Sequence, residues 1–210
     1  MTLAMNPDWL AAFIAFAFST AGSPGPNNMM LAASGANFGL RRSVWHILGI
    51  VLGFPAMIAA VGLGAGEVLT RLPILQTGLK IAGSLYLLYL AWRIATAAPA
   101  GADTLQEDER RLSRRARPLT FWEAAAFQWV NPKAWTMVIA MLGVYAGHNG
   151  SYVQDVLLMA GLFIGVASIC ATGWVLIGMA AARLLSRERL VWFNRLMALL
   201  LVASLALVWT

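Results

Sequence analysis

Apolar residues run along this chain in long unbroken stretches, not in the short alternating or amphipathic blocks of a soluble domain. Val44–Gly66, Val156–Ala182 and Leu196–Trp209 contain no Lys, Arg, Asp or Glu, and the first two are 23 and 27 residues long. About 20 apolar residues cross a bilayer core as a helix. The pattern predicts six spans at roughly 9–33, 44–66, 72–93, 120–145, 154–181 and 191–209, separated by "SGANFGLRRS", "GAGEVLTRLP", the polar stretch 96–118, "GHNGSY" and "RLLSRER". The chain reads as an all-α integral membrane protein.

Two of the six spans are interrupted. The first contains "PGPNN" (24–28) and the fourth "NPKAW" (131–135). Other features recur in the same order: "GIVLG" (Gly49, Gly53) in the second span answers "GLFIG" (Gly161, Gly165) in the fifth, and "LKIAG" (Lys80) in the third answers "NRLMA" (Arg195) in the sixth. Three spans is an odd number, so the second half is expected upside down relative to the first. The expected plan is therefore two inverted three-helix repeats, 1–95 and 120–210, joined by a basic loop at 96–119, a common transporter architecture. The glycine pairs would allow close helix approach, within the chain or between copies, which leaves a homodimer open.

The depth of the interruptions gives them meaning. Leu10 to Ser23 is fourteen residues, about 21 Å of helix within a core about 30 Å thick. Thr120 to Val130 is eleven residues, about 16 Å counted from the opposite face. Both breaks are thus expected near the middle of the bilayer, where irregular backbone is tolerated only if it is buried in protein or lines a wet cavity. Pro24 and Pro26 remove donors, Gly25 permits an unusual turn, and Asn27, Asn28 and Asn131 add amide groups. Carbonyls and helix N-termini freed by such breaks become available to a ligand. The simpler alternative is that the prolines only kink the helices.

Charge refines the picture. Only 11% of the residues are charged, against about 25% in a typical soluble domain. The net charge of +6 sits largely in "RRLSRRARP" (110–118) and "RLLSRERL" (183–190), the signature of loops facing the cytoplasm and anionic lipid, not of a nucleic-acid binder. The loops after spans one, three and five hold twelve arginines, and the opposite set holds Arg71 alone. Both termini are therefore expected outside and the 96–119 loop inside. The N-terminal "MTLAMNPDWL" lacks a basic region, so it does not read as a cleaved leader.

A few ionisable residues fall within the spans. Lys133, beside Pro132, could answer a substrate carboxylate or carry a coupled proton; equally, it could form a salt bridge or clamp carbonyls at the break. Glu123, in the first turn of span four, suits either a helix cap or a proton-binding role. Lys80 and Arg195 can snorkel, and His46 reads as a polar cap. The single cysteine, Cys170, offers neither an intrachain disulfide nor a metal cluster. Two distant histidines and no intramembrane Asp leave nothing from which to assemble an enzyme's nucleophile and base, and no cofactor or metal is expected.

"PGPNN", "ASGANFGLRR", "HILGIVLGF" and "NPKAW" resemble the lysine exporter and homoserine/threonine resistance translocators, the LysE/RhtB type. That resemblance implies export of amino acids or related small metabolites across the bacterial inner membrane, driven by proton motive force. Pro24, Gly25, Pro26 and Asn27 match its first signature, and Asn131, Pro132 and Lys133 its second. With Asn28 these form the expected substrate site, and Glu123 is the candidate for proton coupling. The alternatives are a divalent cation exporter of the wider superfamily or a channel-like protein.

Overall fold

The computed structural model describes residues 6–97, 117–148 and 151–209. Most of the basic loop expected at 96–119 lies outside these residues. The described residues are helical nearly throughout. Helix α1 (Pro7–Gly22) is capped by Asn6, whose side chain accepts from the Asp8 N–H. Helix α2 (Pro26–Ala60) follows after three non-helical residues and runs through a π-helical turn at Val61–Ala65 into α3 (Gly66–Arg71). Then come α4 (Pro73–Ala95), α5 (Phe121–Phe127), a 3-10 turn at Gln128–Val130, α6 (Pro132–Tyr145), α7 (Tyr152–Leu184), α8 (Arg187–Ala203) and the short α9 (Ala206–Trp209).

α2 is two helices folded back at one residue. Gly39 has φ 73° and ψ 176°, a backbone that a β-carbon disfavours. Helix therefore persists through "SGANF", where the sequence suggested a longer break. Its polar residues find partners inside the bundle: Ser34 and Ser43 hydroxyls lie 2.7 Å apart, and Ser43 donates to the Gly39 carbonyl at 2.8 Å, closing the turn. Asn37 donates to Ala33 O at 2.7 Å and pairs reciprocally with Asn194 of α8, at 3.0 Å in each direction. Gly64, with φ 118°, makes a second bend at the far end.

Among the described residues, two stretches are long and apolar enough to cross a membrane by length and composition, Pro26–Ala65 and Tyr152–Leu184, the first containing the Gly39 turn. The outer surface is greasy: Trp45, Trp92, Ile139, Ile169 and Trp192 are each at least 60% exposed. A water-soluble protein rarely shows so much contiguous apolar surface. Polar side chains are instead drawn inward, with Gln128, Asn131, Asp155 and Asn194 all buried.

Glycines set how closely the central helices approach. A β-carbon on Gly178 of α7 would lie 1.9 Å from the Ala32 carbonyl oxygen, and one on Gly35 would lie 2.0 Å from that of Val175. The two glycines thus let α2 and α7 touch backbone to backbone. Gly49 and Gly53 do the same against α5, where Phe121 O and the Ala125 Cα would block any β-carbon. These two therefore serve packing within the chain. Gly161 and Gly165 do not share that role, for nothing lies within 4 Å of where their β-carbons would be.

Gly178→Ala should force α2 and α7 apart and lower the thermal midpoint in detergent by an overpacking cost of about 1–3 kcal/mol. Gly161→Ala, with open space to fill, should stay within about 0.5 kcal/mol of the parent. Equal midpoints for the two variants would contradict the backbone contact.

Candidate functional site

Ser23, Pro24 and Gly25 separate α1 from α2, and the break leaves the carbonyls at the end of α1 without helical partners. Each finds one elsewhere. Ser19 O accepts from the Ser23 N–H at 3.2 Å, and Thr20 O accepts from the Ser23 hydroxyl at 2.9 Å. The Asn28 amide donates to Ala21 O at 2.7 Å and to Ser23 O at 2.8 Å. The Trp174 indole, from α7, donates to Gly22 O at 3.1 Å. Lys133, from α6, donates its ammonium to Ser23 O at 2.7 Å, to the Ser23 hydroxyl at 2.8 Å and to Pro24 O at 3.3 Å. The freed carbonyls are thus held by protein donors instead of standing open. Of the roles the sequence left to Lys133, the contacts are those of a carbonyl clamp.

Gly25 is in the sequence for a different reason from the one expected. Its φ of 178° and ψ of 175° are extended backbone that any residue can adopt. A β-carbon there would lie 2.5 Å from Cδ of Lys133 and 3.1 Å from its Nζ. Gly25 clears the path along which the lysine reaches the break.

The second break is formed more gently. The chain tightens to a 3-10 turn at Gln128–Val130, Asn131 becomes extended at φ −85° and ψ 112°, and helix resumes at Pro132. Asn131 caps the new helix, its side-chain oxygen accepting from the Lys133 N–H at 3.1 Å. Pro132 stands at the first helical position, where a missing N–H costs nothing. The two breaks are tied by a reciprocal amide pair: Asn27 donates to Gln128 at 2.9 Å, and Gln128 returns a bond at 3.3 Å while also donating to Ala124 O at 2.8 Å.

Between them lies a cavity of about 50 Å³, several times the space one water needs. Gly25, Asn27, Asn28, Asn131 and Lys133 line its polar side, with Cys170 and Phe163 among the residues opposite. Pro24 and Pro26 flank Gly25 without lining the cavity; they delete donors from the break. At the head of α2, the backbone N–H groups of Asn27 and Asn28 have no acceptor among the described residues. Lys133 faces no carboxylate among those residues, so dipoles alone hold its charge.

Glu123 lies elsewhere and does not line this cavity. It forms a capping box with Thr120, accepting from the Thr120 N–H at 2.7 Å and hydroxyl at 3.0 Å. Arg117 grips both of its oxygens, at 2.6 and 2.7 Å, and those hydrogen bonds raise the arginine above its usual pKa. The other ionisable residues also separate. Lys80 and Arg195 lie over the rings of Trp209 and Trp192, at 5.9 and 5.1 Å. His46 is no polar cap: it is 1% exposed, and neither ring nitrogen has a partner among the described residues. Sequence reasoning gave no role to Trp174, Gln128 or the Asn37–Asn194 pair; for Gln128, an amide one turn before a proline break was the available signal.

An apolar-surfaced helical bundle in which two broken helices line a cavity with one polar side has the architecture of a membrane translocator. The chain belongs to the LysE type translocator family, which it matches over residues 18–208. It is 31% identical over 202 residues to the cysteine/O-acetylserine efflux protein of Escherichia coli (strain K12), an alignment covering 94% of this chain and 96% of that protein. The proteins of the same description from Escherichia coli O9:H4 (strain HS) and Shigella sonnei (strain Ss046) match to the same extent. No solved structure matches the chain significantly.

Lys133→Met should uncap the Pro24 carbonyl and half-uncap Ser23, costing about 1–3 kcal/mol. That corresponds to a fall of roughly 2–12 °C in thermal midpoint. Gly25→Ala, which displaces the lysine stem, should lower it in the same direction. Unchanged midpoints in both variants would mean that the clamp contributes nothing.

Proposed function

We propose that the protein exports a small amino acid of the cysteine or O-acetylserine class across the bacterial inner membrane by alternating access, with protons as the coupling ion. One observation carries this reading: the cavity between the breaks sets an ammonium beside two backbone N–H groups and a row of carbonyls, and among the described residues the ammonium has no anionic partner and the N–H groups no acceptor. A zwitterion is the complement of that arrangement. Its carboxylate would draw the Lys133 ammonium off the break and accept from the N–H groups of Asn27 and Asn28. Its own ammonium would take over the carbonyls of Ser23 and Pro24 that the lysine vacates. Each charged group is then met by the opposite one, which a site of low dielectric requires. The names of the efflux proteins that this chain resembles supply the size class.

In this reading Asn27, Asn28, Asn131 and Lys133 contact the substrate, and Pro24, Gly25, Pro26 and Pro132 hold the breaks open. Lys133 is the better seat for the coupled proton, since it lines the cavity while the Glu123 carboxylate is taken up by Arg117 and Thr120. We read the chain as six spans in two inverted halves, with both termini periplasmic; the facing breaks and the twelve-to-one arginine bias support this.

Proteoliposomes loaded with radiolabelled O-acetyl-L-serine or L-cysteine test the function. The parent protein should move at least one of them, and Lys133→Gln should cut the rate at least tenfold. Lys133→Arg should rescue poorly, because its planar fork fits neither the narrow passage past Gly25 nor the convergent carbonyls. Full transport by well-folded Lys133→Gln would remove this residue from the mechanism. Orientation is tested separately: a periplasm-only reporter fused after Thr210 should be active, and activity of a cytoplasm-only reporter there would invert the topology.

A further inference from the structure

A second cavity, of about 60 Å³, shares no lining residue with the first. Ser34, Asn37, His46, Arg93 and Arg117 provide its polar groups. It lies where the Gly39 turn meets the ends of the 96–119 loop, the side read above as cytoplasmic.

Most of these groups are already committed. Asn37 is locked to Asn194, and Ser34 to Ser43. Arg117 spends both ends of its guanidinium on Glu123, which neutralises it. Two groups retain capacity. Among the described residues Arg93 uses one donor, to Arg117 O at 2.8 Å, and lies 5.7 Å from the centre of the Tyr89 ring; the rest of its five-donor fork has no acceptor among those residues. His46 is 1% exposed, and neither ring nitrogen has a partner among the described residues. A buried imidazole whose N–H meets nothing is costly, and a native fold rarely keeps such a group without a use for it. The unspent groups are therefore one cation and one buried ring that can donate, lining the same chamber. Their complement is a compact anion with several acceptor lone pairs. A carboxylate fits, engaged by the Arg93 fork and an N–H of His46.

We propose that this chamber is a separate carboxylate-binding site at the cytoplasmic end of the protein, where the amino-acid substrate docks before it reaches the cavity between the breaks. The identity of the ligand as an amino acid rests on the function proposed above; the affinity for a carboxylate does not.

The chain has two histidines and one cysteine, so each cavity carries its own reporter. In a His148→Gln variant labelled at histidine and reconstituted in nanodiscs, the single imidazole NMR signal reports His46. Maleimide labelling of Cys170 reports the cavity between the breaks. O-acetyl-L-serine should shift the His46 signal, its methyl ester should not, and Arg93→Gln should raise the half-saturating concentration at least tenfold, with Arg93→Lys between. Protection of Cys170 with no movement of His46 overturns the proposal and leaves the chamber a home for water. If neither reporter responds to O-acetylserine, that compound is removed as the substrate, and acetate then decides the chamber. A His46 shift with acetate that Arg93→Gln abolishes upholds a carboxylate site, and no shift with acetate removes it.

Discussion

Everything distinctive about this fold follows from one constraint: a helix broken inside an apolar bundle must find donors for the carbonyls it exposes. Water cannot supply them in hydrocarbon, and each one left bare would cost several kcal/mol. Here the donors come from three directions. Asn28 supplies them from the helix that follows, Trp174 from α7, and Lys133 from α6. The ammonium is the strongest of these, because charge-assisted hydrogen bonds are roughly twice as strong as neutral ones. Its placement dictates in turn the absence of a side chain at Gly25 and the extended backbone there.

The same constraint makes the two halves of the chain depend on each other. The end of α1 is satisfied in part by Lys133 and Trp174, more than a hundred positions away, and Asn27 and Gln128 complete each other's hydrogen bonding across a comparable gap. Neither break is a stable object alone. The Asn37–Asn194 pair repeats the device between α2 and α8. Close backbone contact at Gly35 and Gly178 holds α2 against a different neighbour, α7. Packing and polar contacts thus divide the work around α2: the glycines seat it on α7, and the amides tie it to α8.

Much of this was legible in the sequence, and the limits are instructive. Hydropathy located α7 and the second half of α2, because charge-free runs of more than twenty residues have few alternatives. Proline placed both breaks to within a few residues, since it can neither donate nor continue a helix. Lys133 stood out because an ammonium in an apolar run demands a partner, but which partner was not written locally. Ser23 O lies 110 residues away, and only the fold brings it near. The glycine pairs show the converse. "GIVLG" and "GLFIG" are equivalent as strings, yet the first meets α5 and the second meets open space. His46 looked like an ordinary cap because sequence position cannot tell a solvated imidazole from one enclosed on all sides. Trp174 gave no signal among nine tryptophans, any of which could have found a carbonyl.

The reciprocal amide pairs have an electrical consequence. Asn27–Gln128 and Asn37–Asn194 join the two halves with neutral dipoles, so opening or closing either pair transfers no charge across the membrane field. An elementary charge that traverses the whole field gains or loses about 2.3 kcal/mol per 100 mV. Ion pairs in the same places would couple every rearrangement to the membrane voltage. Built from amides, these two joints between the halves carry no net charge for it to act on.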